Sequence, residues 1–89
     1  MNFHNIYAGA YAVDVEGKHF FCVFRNASEM YIVNYGATVE LSADHSETAA
    51  RIRESLGRSA GGKRFTAQEL ATISEGLTDA AKIIYPVNA

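Results

Sequence analysis

His19-Phe20-Phe21-Cys22-Val23-Phe24-Arg25 is the stretch that decides the fold. A run this dense in aromatic and branched side chains favours a pleated, half-buried strand over a helix. Turn chemistry brackets it. Asp14-Val15-Glu16-Gly17 precedes it, with Gly17 free to take a positive φ, and Asn26-Ala27-Ser28-Glu29 follows it. Outward of these turns lie two further apolar runs, Ile6 to Val13 and Met30 to Tyr35. After Gly36, Ala37-Thr38-Val39-Glu40-Leu41 alternates apolar with polar. Turns this short join antiparallel neighbours, so residues 1–41 are expected to form a four-stranded antiparallel meander.

The pattern then changes period. Ala49, Ile52 and Leu56 stand at helical spacing behind a start at Ser42 or Asp44, with Glu47 placed to complete a capping box with Asp44. Gly57 marks an early stop, and Ser59 to Gly62 reads as loop. Thr66-Ala67-Gln68-Glu69 is a full capping box, followed by a stripe of Leu70, Ile73, Leu77, Ala81 and Ile84. Pro86 is expected to end this helix at Tyr85. Gly76, with Thr72 and Ala80, forms a small-residue row suited to close packing. The expected architecture is α+β, ββββαα, with both helices in 42–89 packed on one sheet face and a basic loop at 57–65. A chain of 89 residues leaves room for one domain, 1–89.

Composition narrows the function classes. Apolar residues make up 48 % and charged residues 20 %, the balance of a soluble globular protein. The net charge of −2 argues against a general binder of nucleic acid or anionic membranes. Cys22 is the one cysteine, which excludes an intrachain disulfide and suits a reducing, cytoplasmic setting. The apolar run ending at Val13 has no basic residue before it and is too short for a membrane span, so neither a secretory signal nor membrane association is expected.

Several segments invite a chemical reading. Gly57 to Lys63 has the glycine and lysine spacing of a phosphate-binding loop. Arg64 stands where a magnesium-holding hydroxyl is needed, and a helix precedes it where a strand should. A flexible helix–helix linker is the plainer expectation. Residues 51–64 carry five basic side chains, Arg51, Arg53, Arg58, Lys63 and Arg64, against one acid, Glu54. Residues 1–50 carry six acids against two bases. A basic patch on an acidic body could seat nucleic acid. Glu47 and Glu54 each stand four residues before an arginine, however, the order that pairs charges along a solvated helix face. His4, His19 and His45 show no metal-ligand spacing, no nucleophile–base–orienter set stands out, and no cofactor is expected. Asp44-His45 is read as a cap and not as an acid–base pair. Cys22, between large apolar neighbours, reads as core.

The strands fail to alternate. Phe20, Cys22 and Phe24 share one face, yet Phe21 and Val23 lie on the other. Two helices cover only one face. Tyr7, Tyr11, Phe21, Tyr31 and Tyr35 are therefore expected on the second, as a tyrosine-rich surface that binds a protein partner or a second copy in a homodimer. The reading is a non-enzymatic interaction module, with a nucleic-acid-contacting accessory protein using residues 51–64 as the alternative. Gly17 to Phe24 is similar to the aromatic strand of RNA-recognition motifs, but it lacks the glycines between aromatics, and the element order differs. In size and style alone, the chain resembles small phage-encoded inhibitors of bacterial complexes, such as anti-CRISPR proteins.

Overall fold

Gly9 splits the first apolar run in two. In the computed structural model, which describes residues 2–85, its φ of 78° turns the chain back on itself. What reads in sequence as one strand from Ile6 to Val13 is a hairpin of β1 (Asn2–Tyr7) and β2 (Ala10–Val15). β3 (Lys18–Asn26), β4 (Glu29–Ile32) and β5 (Ala37–Glu40) continue the meander, giving five antiparallel strands in chain order where four were expected. The Gly9 carbonyl also accepts from the Phe24 amide at 2.8 Å, fastening the new hairpin to β3.

The third expected strand is cut short. β4 stops at Ile32, and Val33–Tyr35 forms a 3₁₀ turn closed by Gly36. Asn34 replaces the missing strand with its side chain. Its Oδ1 accepts from the Phe21 amide at 3.1 Å and its Nδ2 donates to the His19 carbonyl at 2.9 Å. The ladder of β3 thus runs on past the end of its neighbour.

α1 (His45–Arg58) and α2 (Ala67–Ile84) cover one face. Asp44 caps α1 by accepting from the Ser46 and Glu47 amides; Glu47 pairs with Arg51 and does not close a capping box. Gly57 lies inside α1, which runs one residue further. Thr66 and Glu69 form the reciprocal box at the start of α2, and that helix ends at Ile84. Pro86 lies outside the described residues. Ile52, Leu56, Ile73 and Leu77 pack with Val13, Phe20, Cys22, Met30, Ile32 and Val39 in one core. A Cβ on Gly76 would stand 2.6 Å from Val15 Cγ1, so α2 rides against β2 where only glycine fits. None of the described helices is long and apolar enough to cross a membrane.

Candidate partner-binding face

Side chains alternate across a strand, and Phe20, Cys22 and Phe24 face the helices. Phe21 and Val23 therefore face away. The register extends that assignment across the sheet. Tyr7, Ala10, Val23, Tyr31 and Thr38 stand in one row, and His4, Ala12 and Phe21 in the next. Neither α1 nor α2 covers this side. Tyr7 is 65 % exposed and Phe21 45 %. Tyr31 is half-buried beneath the Arg25 guanidinium, 5.2 Å from the ring centre, and Arg25 in turn reaches Glu29 at 3.2 Å. Asp14 and His19 form a hydrogen-bonded pair beyond the Phe21 row. The face is an apolar strip with a mixed-charge rim, and the two alanines of β2 keep its middle low.

The five aromatics expected here do not share the face. Tyr7, Phe21 and Tyr31 do; Tyr11 and Tyr35 lie on the helix side. Tyr11 is opposite Cys22, and its ring meets Phe24 at 5.9 Å and Phe3 at 6.4 Å. Its phase is tied to Val13, two residues on and fully buried. Tyr35 is swung inward by the 3₁₀ turn, which replaces the two-residue period with three; its ring stacks on Phe20 at 5.3 Å and meets Phe65 at 5.7 Å. Sequence reasoning missed Asn34, whose signal was a lone polar residue between Val33 and Tyr35. It also passed over exposed Ile6 and Val33.

The basic segment does not form one surface. Arg51 pairs with Glu47 at 2.6 Å and donates to the Glu40 carbonyl, while Arg58 pairs with Glu54 at 3.0 Å. Both line a cleft beside β5 that contains Glu40 and Glu54. Arg53 turns the other way, into the groove between the helices, beside Glu75 and Asp79. Lys63 and Arg64 are exposed on the Gly62–Arg64 turn. Carboxylates thus accompany most of the arginines.

Of the expected linker at 57–65, Gly57 and Arg58 belong to α1 and the rest is a tight turn whose last four amides are already engaged. The Gly62 amide donates to Ser59 Oγ, Lys63 to the Ser59 carbonyl, Arg64 to Gly61 and Phe65 to Gly62. A phosphate cradle needs such amides pointing outward. Gly62 is buried, and a Cβ there would fall 1.7 Å from the Leu56 carbonyl oxygen. Cys22 is 1 % exposed, and burial pushes its thiol up to about 12, so it is a core residue with no thiolate to offer. No group of three or more metal-ligating side chains occurs among the described residues. No protein-family model matches the chain, and neither a curated protein nor a solved structure does.

Proposed function

We propose that this chain is a non-enzymatic protein-interaction module that binds a protein partner through its uncovered sheet face. The observation that carries the reading is the exposure of Phe21 and Tyr7, in adjoining rows with Val23 and Tyr31, on a face that neither α1 nor α2 reaches. An apolar strip rimmed by charge is the usual anatomy of an interaction surface. Its anchors are Tyr7, Phe21 and Tyr31, which offer large contact area at small cost in side-chain entropy. Affinity capture from the native host should retain a partner on the wild-type chain. It should lose that partner with Phe21→Glu and with Tyr31→Glu, while circular dichroism shows both variants folded. Arg53→Glu should retain it. Binding lost with Arg53→Glu, or falling steeply with salt, would instead assign recognition to the basic residues.

A further inference from the structure

The two edges of the sheet are finished differently, and the difference points to how copies of this chain meet. At β5, the backbone groups of Thr38 and Glu40 point outward, and α1 holds both carbonyls: Ser55 Oγ donates to that of Thr38 at 3.1 Å and Arg51 Nη1 to that of Glu40 at 3.2 Å. Among the described residues, β1 has no such cover. The two-residue turn Glu16-Gly17 makes Val15 and Lys18 a hydrogen-bonded pair, which sets the alternation on β2. Val13 and Tyr11 then bond to β3, while Asp14, Ala12 and Ala10 bond to β1. Opposite them stand Asn2, His4 and Tyr7. Phe3 and Asn5 therefore aim their N–H and C=O groups away from the sheet. Among the described residues, none of these four groups has a hydrogen-bond partner.

We propose that β1 pairs antiparallel with β1 of a second copy of this chain, about a two-fold axis beside His4, so that the two sheets become one. The proposal stands apart from the partner-binding reading of the face. A register with Phe3 opposite Asn5 of the second copy, and Asn5 opposite its Phe3, satisfies all four outward groups on each chain at once. The bulge between Asn5 and Tyr7 ends the regular edge and limits pairing to this short window. Self-pairing demands that a strand tolerate itself, and Asn2–Tyr7 contains no Asp, Glu, Lys or Arg. Charged side chains, which natural edges use against such pairing, are absent where they would act. In this register His4 faces His4 of the second copy on the side of the sheet away from the helices.

Sedimentation velocity and amide hydrogen exchange across a concentration series test this. A dimer should form, and the Phe3 and Asn5 amides should slow at least about tenfold in step with it, while the His4 amide, already bonded within its own sheet, does not respond. His4→Glu and His4→Lys, both at an exposed position, should each weaken the dimer at least about tenfold by setting like charges face to face. An equimolar mixture of the two should restore it. Phe21→Glu should leave it intact. A chain that stays monomeric at millimolar concentration would overturn the proposal. So would a dimer that leaves Phe3 and Asn5 exchanging freely, or one abolished by Phe21→Glu but not by the His4 variants, which would place self-association on the face. Protection of Phe3 and Asn5 appearing only on addition of a foreign extended peptide would assign the edge to another protein and also overturn it.

Discussion

The two faces of the sheet come from the same strands, one residue apart, yet they are packed differently. On the helix side, aromatic rings run in two groups, Phe3–Tyr11–Phe24–Tyr85 and Phe20–Tyr35–Phe65, beside the aliphatic core. On the far side stand Tyr7, Phe21 and Tyr31, with Ala10, Ala12 and Val23 between them. Seven rings serve the fold and three stand outside it. Apolar density along a strand therefore does not reveal which face is interior; the face that helices can reach decides it.

Adjacent residues break the comparison most sharply. Phe20→Ala should cost about 3–5 kcal/mol, because it opens a cavity in a close-packed core, while Phe21→Ala should stay within about 1 kcal/mol. Urea denaturation of the two variants measures both, and equal losses would mean the far face is interior. Gly76→Ala probes the spacing of the covered face. The helix gains about 1 kcal/mol of propensity, but the methyl meets Val15, and overpacking of about 1–3 kcal/mol should leave a net loss. A rise in melting temperature would show that α2 has slack. Cys22 should resist thiol reagents until denaturant is added, whereas a cysteine introduced by Phe21→Cys should label at once. Cys22→Ser should cost about 1–3 kcal/mol by burying a hydroxyl without an assured partner.

Smaller effects sharpen the picture at the margins. Asn34→Ala frees the Phe21 amide and His19 carbonyl to water and should cost about 1 kcal/mol, with faster exchange confined to Phe21 as its signature. The least effect comes from acid. Hydrogen bonds from the Ser46 side chain and the Glu47 and Ser46 backbones hold the Asp44 carboxyl below its ordinary range, and the Thr66 amide and Lys18 do the same for Glu69. Folding lowers both values, so the unfolded chain takes up protons first as pH falls. The stability these caps lend is full above the ordinary carboxylate range and is lost as pH drops through the lowered folded values. A melting temperature flat through that window would show the caps to be energetically idle.

The helices were legible because their signals are local: the Thr66–Glu69 box and the Leu70–Ile84 stripe need no tertiary partner to be recognised. On β3 the two faces, Phe20, Cys22 and Phe24 against Phe21 and Val23, were legible as faces, and the reading of the first as core held only because the helices pack there. β1 was not legible, because Asn2-Phe3-His4-Asn5 has little strand character of its own and is held by pairing with β2. Tyr11 and Tyr35 were misplaced for separate reasons. Tyr11 follows from Val13 only once Val13 is known to be inside, and Tyr35 depends on a 3₁₀ turn that counts in threes. The exposed face itself was legible as a surplus of rings, but its membership required the register.

A sheet with one sealed edge has a valence of one. Arg51 and Ser55 hold the outward carbonyls of β5, so no strand can be added there without first removing α1's side chains. Any growth by strand addition starts at β1 and is used up in a single step, because the edge that would receive a third chain is closed in every copy. In the proposed pair, the same two side chains that finish the fold would act as chain terminators, separating a closed pair from an open-ended fibre.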